Sequence, residues 1–95
     1  MYNVRRTKGF EKSFKKIKRS GKLYKENFDD LELIIDLLKS NRTLTKRFQD
    51  HQLKGDIKMY RECHIRNDVL LLYSIVDQDL TLVLIDIGSH SYLFR

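Results

Sequence analysis

An α+β fold in the order β-α-α-β-β-β follows from three observations on this 95-residue sequence. Residues 8–39 carry apolar side chains at helical spacing, interrupted once by Ser20-Gly21. Residues 57–87 carry alternating or continuous apolar runs of strand length, separated by polar turn residues. A short apolar-alternating stretch precedes the first helical segment. A two-helix hairpin packed on one face of an antiparallel meander, with an N-terminal strand added, satisfies all three.

Tyr2 to Arg6 is the first strand, with Tyr2 and Val4 on one face. Thr7 is the expected N-cap of a helix from about Lys8 to Arg19, whose Phe10, Phe14 and Ile17 recur at i, i+4 and i+7. Gly21 ends it, because glycine adopts the left-handed conformation that closes a helix. A second helix is expected from about Leu23 to Lys39, with Phe28, Leu31, Ile35 and Leu38 as its inner stripe and Ile34 alongside. Its outer side is acidic, whereas the first helix is basic. A further short strand fits near Gln52–Lys54. From Ile57 to Ile65 the pattern alternates loosely, with Arg61, Cys63 and Ile65 on one face and Tyr60, Glu62 and His64 on the other. Arg66-Asn67 reads as a hairpin turn leading into the nearly continuous apolar run Val69 to Val76. Asp77-Gln78-Asp79 makes the next turn. Leu80 to Ile87 is the last strand, with Leu80, Leu82 and Leu84 on one face. Gly88 ends it and leaves a short tail carrying His90 and Phe94. The face of the sheet away from the helices is expected to be free.

Length allows a single domain over residues 1–95 that buries roughly 60–70% of its unfolded surface. An apolar content of 41% with 34% charged residues describes a globular chain rather than a disordered one. The lone Cys63 fits a reducing cytosol, and no apolar run reaches the ~18 residues of a membrane span. A cytoplasmic location without membrane partners is the expectation. The net charge of +6 is distributed unevenly. Residues 1–25 set ten Lys/Arg against Glu11 alone, residues 26–39 set five acids against Lys39, and residues 40–67 set seven basic residues against three acidic ones. Basic segments of this kind suit a polyanion, because each neutralised phosphate releases counterions.

All three histidines lie in the C-terminal half, in the phrases Asp50-His51-Gln-Leu-Lys-Gly, Tyr60-Arg-Glu-Cys-His64-Ile and Gly88-Ser-His90-Ser-Tyr-Leu-Phe94. Imidazole titrates near neutrality and can both take and give a proton. Together with the basic surface, this directs attention to RNA cleavage with the 2′-hydroxyl as nucleophile. No zinc site is expected, since the histidines lack close paired-ligand spacing in sequence. Were Arg66-Asn67 a two-residue loop, His64 would pair with Val69 and Ile65 with Asp68. Asp68 would then lie diagonally beside the imidazole. Each residue also has a plainer reading: Asp68 and His51 as turn stabilisers, Phe94 as tail packing, Arg61 as a structural ion pair. Cys63 is read as an inert buried strand residue, and Tyr60 and Tyr73 as sheet packing.

The phrases Asp50-His51-x-Leu53-x-Gly55, Tyr60-Arg61-x-x-His64-Ile65-x-x-Asp68, Leu71-x-Tyr73 and Gly88-Ser89-His90-x-x-Leu93-Phe94 resemble the YafQ branch of the RelE superfamily. The likeness is close over residues 44–94 and looser over the strand and helical hairpin before them. It implies a RelE-like fold and a toxin of a type II toxin–antitoxin module. Such a toxin is a ribosome-dependent, metal-independent endoribonuclease acting on messenger RNA. It needs no cofactor, is silenced by a cognate antitoxin, and meets DNA only through that antitoxin. The catalytic positions carried over are His51, His64, Asp68, His90 and Phe94. Val69 stands where relatives often have tryptophan. His90 is then expected as general acid with His64 or His51 as base, the roles being exchangeable. Phe94 is the candidate for stacking on a base. Lys54, Lys58 and Arg61 are candidates for phosphate contacts. Two other functions fit the same charge: a non-catalytic RNA- or ribosome-binding translation inhibitor, and a small metal-dependent DNA nuclease.

Overall fold

The computed structural model describes residues 1–66 and 68–94. Its elements are β1 (Asn3–Arg6), α1 (Lys8–Arg19), α2 (Lys25–Lys39), β2 (His51–Gln52), β3 (Arg61–Ile65), β4 (Val69–Val76), β5 (Thr81–Gly88) and α3 (His90–Leu93). One five-stranded sheet has the order β1-β5-β4-β3-β2. β1 runs parallel to β5, and the remaining pairs are antiparallel. The expected meander is therefore β3-β4-β5, with β1 and β2 added at its two edges. One core joins Phe10, Leu31, Ile34 and Leu38 of the helices to Cys63, Ile65, Leu71, Tyr73, Leu82, Leu84 and Ile87 of the sheet.

Thr7 fixes how α1 meets the sheet. Its hydroxyl oxygen accepts the Phe10 amide at 3.0 Å and its hydroxyl donates to the Ile85 carbonyl at 2.8 Å. Ile85 is the extra residue of a bulge: Leu72 pairs with Asp86, but Tyr73 pairs with Leu84. The bulge lets Ile87 join Leu82 and Leu84 in the core despite the odd spacing. Ser20 closes the helix, and Gly21 follows at φ 76°. The hairpin seam is aromatic, with Phe14 edge-on to Phe28 at 6.1 Å between centroids.

α2 departs from expectation in start and in rotation. Asn27 Oδ1 accepts the Tyr24 amide at 2.9 Å, so the helix begins two residues later than Leu23 would have it. Its buried row is Asn27, Asp30, Leu31, Ile34 and Leu38, whereas Phe28 and Ile35 lie at the flanks. Two polar residues turned inward rotate the stripe, and Asp30 is thereby removed from the acidic outer side. Hydrophobic spacing alone assigns such residues to solvent.

Three smaller differences concern the sheet. β2 lies at His51–Gln52, slightly before the expected Gln52–Lys54, and β3 starts at Arg61 because residues 53–60 form a closed loop. Leu53 N–H donates to the Tyr60 carbonyl at 3.0 Å, and the Gln52 side chain donates to the Lys58 carbonyl at 2.7 Å. The β3–β4 register is Ile65 with Val69 and His64 with Leu70, so the expected two-residue turn is replaced by a three-residue connection. Asp68 takes the left-handed conformation there, at φ 60°. Asn67 of the expected turn lies outside the described residues. Leu80 is exposed rather than inward, because the Asp77–Asp79 turn extends through it at φ 48°. The far sheet face is not bare, since Glu62, Leu70 and Val83, which alternate with core residues, are buried there.

Thr7→Val preserves shape but removes both hydrogen bonds. Urea unfolding should show a loss of about 1–2 kcal/mol, with most of it restored in Thr7→Ser. A valine variant as stable as the parent would refute the cap and tether.

Candidate active site

The β2–β3 pairing builds the centre of the site. His51 lies directly opposite Glu62, and Glu62 and His64 are two residues apart on one strand, so all three share a face. The Glu62 side chain is only 6% exposed, and its Oε1 stands 3.4 Å from His64 Nε2 and 4.0 Å from His51 Nε2. The two rings are 6.2 Å apart between centroids. His51 Nδ1 lies 2.7 Å from the Gln49 carbonyl. A carbonyl only accepts, so Nδ1 carries the hydrogen and the lone pair of the neutral ring sits on Nε2, facing Glu62. The carboxylate is the charge partner for either ring when protonated.

A second group braces this edge from the core side. Arg61 Nη2 donates to Asp50 Oδ2 at 2.9 Å and its Nε to the Tyr73 hydroxyl at 3.2 Å, while Tyr73 also hydrogen-bonds Asp50 Oδ1. Burial, reinforced by Asp50, pushes the Tyr73 hydroxyl well above its ordinary range, and the Asp50 hydrogen bond raises Arg61. Arg61 thus takes the structural ion-pair reading, on the face opposite Glu62 and His64. Cys63 is fully buried, and desolvation pushes its thiol up, away from the reactive thiolate.

The β3–β4 connection forms the third part. Asn27 Nδ2 donates to the Arg66 carbonyl at 2.6 Å, tying the start of α2 to this turn. Asp30 accepts from Arg66 Nε at 3.1 Å and from both Nη atoms of Arg47 at 3.2 and 3.3 Å. Asp68 is exposed and lines an open cavity together with His64, Arg66, Arg47 and Gln49. It therefore borders the site from the turn rather than from a paired strand position.

The remaining sequence candidates lie at the margins. Lys54 and Lys58 are exposed in the loop between β2 and β3. His90, which opens α3, and Phe94, which follows it, are exposed with ring centroids 5.0 Å apart. This helix was not expected in the tail. Ser89 caps it by accepting the Tyr92 amide at 3.2 Å, and a Cβ on Gly88 would come within 2.5 Å of the Tyr92 ring, so glycine is needed for that approach. His64, Leu70 and Gly88 form one row across the sheet. Strand spacing puts the Gly88 Cα roughly 10 Å from that of His64, and α3 begins two residues further on.

Sequence reasoning passed over Glu62, Asp30, Arg47 and Arg66. Glu62 had a usable signal, its two-residue offset from His64 on a strand. The others had none, because their meeting depends on how α2 packs. Sequence spacing also hid a donor set: His51, Glu62 and His64 place one ligand atom each within 4.8 Å of one another. Two imidazoles and a carboxylate suit zinc or copper as well as proton transfer.

The sequence matches, over residues 2–95, the family described as bacterial toxin of type II toxin-antitoxin system, YafQ. The mRNA interferase toxin YafQ of Escherichia coli K12 is 32% identical over 81 residues, covering 84% of this chain and 85% of that protein. A relative from Haemophilus influenzae is 44% identical over 45 residues, a stretch spanning 47% of this chain but only 44% of that protein. Among solved structures, a copper-bound mutant toxin from Helicobacter pylori superposes with a TM-score of 0.85 at 38% identity, covering 99% of this chain and 100% of that one. The toxin of the E. coli DinJ-YafQ toxin-antitoxin complex gives 0.82 at 25% identity, covering 99% and 98%. With its mixed sheet, its helical hairpin and a match along nearly its whole length, the chain belongs to the YafQ family of type II toxin–antitoxin toxins.

Proposed function

We propose that this toxin is a metal-independent endoribonuclease that cleaves messenger RNA on the ribosome and so inhibits translation. The reading stands on the convergence of His51 and His64 on the buried Glu62 carboxylate. In the cleavage step, the base removes the proton of the 2′-hydroxyl and the 2′-oxygen bonds to phosphorus. The bond from phosphorus to the 5′-oxygen breaks, and the acid supplies that oxygen with a proton. The products are a 2′,3′-cyclic phosphate and a free 5′-hydroxyl. The Nε2 lone pair of His51 suits the base, with His64 beside it, and His90 is assigned as acid. Glu62 holds the charge of the ring that gains the proton. Asp68 borders the cavity, Phe94 offers a stacking face, and Lys54 and Lys58 contact the backbone of the RNA.

The toxin acts in the cytoplasm, and no helix among the described residues is long and apolar enough to cross a membrane. A cognate antitoxin silences it, as DinJ assembles with the E. coli relative. A chain of charge +6 suits an acidic partner. DNA is reached through that complex. The H. pylori relative was crystallised with copper bound, and in this chain His51, Glu62 and His64 are a donor set able to hold such a metal. A metal on His51, Glu62 and His64 would engage the lone pairs that proton transfer needs.

His51→Ala, His64→Ala and His90→Ala should each slow cleavage by about 10²–10⁴-fold in single-turnover assays on programmed ribosomes. The His90 variant should relieve growth arrest while keeping its fold and antitoxin binding. Full toxicity in a folded His90→Ala protein would remove that residue from the mechanism. Mapping transcript 5′ ends after induction separates cutting from occupancy: new ends within coding regions are expected, and intact messages would favour a non-catalytic inhibitor. Toxin stripped with EDTA and then desalted should keep its activity on programmed ribosomes in magnesium buffer, lose it on titration with zinc or copper, and regain it when stripped again. Loss of activity on stripping alone would overturn the metal-independent mechanism.

A further inference from the structure

Asp30 holds two arginines beside the imidazoles, and none of the three takes part in the proton transfers above. Its side chain is 4% exposed, while those of Arg47 and Arg66 are 48% and 52% exposed. One buried carboxylate therefore orients two half-exposed guanidinium groups, leaving one net positive charge. Arg66 reaches Asp30 through Nε, and its Nη atoms form no hydrogen bond among the described residues. The Arg47 guanidinium carbon also stands 4.1 Å from the centre of the Phe48 ring, a cation–π contact that further restrains it. Both arginines line the open cavity that is also lined by His64 and by Gln49, the residue whose carbonyl positions His51. Asp68, on the same rim, is the opposing negative charge.

Arg66, held to Asp30 through Nε, keeps its two Nη atoms for an incoming group at low entropic cost, which is the arrangement that recognises phosphate oxygens. Arg47 commits one N–H of each Nη to Asp30 and adds a half-exposed positive charge beside it. Arg47 comes from the segment after α2, Arg66 from the β3–β4 turn, and Asp30 from α2. Their meeting sets a cationic pair on the cavity that His64 also lines. We infer that Arg47 and Arg66 form a subsite for the messenger RNA phosphate next to the scissile one, with Asp30 as its positioning residue. This rests on the nuclease reading and assigns it a substrate grip.

The test is single-turnover cleavage of messenger RNA on programmed ribosomes across toxin concentrations. Arg47→Gln and Arg66→Gln should each raise the half-saturating toxin concentration about tenfold, with the maximal rate within about threefold of the parent. Asp30→Asn should shift the same parameter, and Arg66→Lys should restore part of the loss. Circular dichroism and thermal unfolding report whether each variant is folded. A methylphosphonate, neutral at the flanking linkage on either side, should mimic the arginine loss in the parent. It should add nothing further in Arg66→Gln. Full additivity at both linkages would place the arginines on another phosphate, such as ribosomal RNA, and overturn the subsite. Unchanged half-saturation in folded variants would do the same. A parent toxin that cuts no messenger would instead fail the nuclease reading itself, and the subsite with it.

Discussion

Pairing of His51 with Glu62 across two short strands is the constraint from which the chemistry of this surface follows, because a one-residue slip would send the imidazole to the opposite face. A two-residue strand at a sheet edge has little to hold its register on its own. Here it is secured from both sides. On the core face, Asp50 takes Arg61 and Tyr73; along the edge, Gln52 and Leu53 bond the carbonyls of Lys58 and Tyr60. Tyr73 of this brace, and Cys63 on the same sheet face, stay neutral because burial pushes their protons on more firmly. Charge in the neighbourhood is thus left to groups that can use it.

The helical layer contributes more than a cover for the sheet. Asn27 spends one end of its amide on capping α2 and the other on the Arg66 carbonyl, so the helix start and the β3–β4 turn move as one piece. Asp30, one turn further along, does the same with side chains of Arg47 and Arg66. Both residues are buried, yet each polar atom has a partner, which is the condition for burying them. The polar side chains that break the helix's apolar stripe are the ones that connect it to the functional face.

How much of this was legible in the sequence depends on whether a feature was local. The Thr7 cap, the end of α1 at Gly21, the β4 run and the meander rest on neighbouring residues, and each was readable from spacing and turn chemistry. The β3–β4 register was not, because Arg66-Asn67 satisfies a two-residue turn in sequence while Asp68 adopts the left-handed conformation that adds a third. The bulge at Ile85 left no mark, since leucine, valine and isoleucine fill β5 on both faces. The rotation of α2 was hidden because its cause, the arginines that Asp30 meets, lies elsewhere in the chain. The histidines of β2 and β3 announced themselves by type, whereas Glu62 looked like any strand glutamate until its partner strand was known.

The exposure of the site bears on why such an enzyme would work on a ribosome. The side chains of His51 and His64 are 50% and 37% exposed, and His90 and Phe94 lie exposed at the two ends of a one-turn helix. Proton transfer and charge stabilisation gain most where water is excluded and the reacting groups are held in line. An open surface supplies the groups but not the enclosure. In the proposed reading, the translating ribosome fixes the messenger strand and walls off the linkage, so the toxin need carry only the acid, the base and the cations around them. The same division explains how a protein of 95 residues, with a core already committed to five strands and a helical hairpin, has no need of a deep pocket of its own.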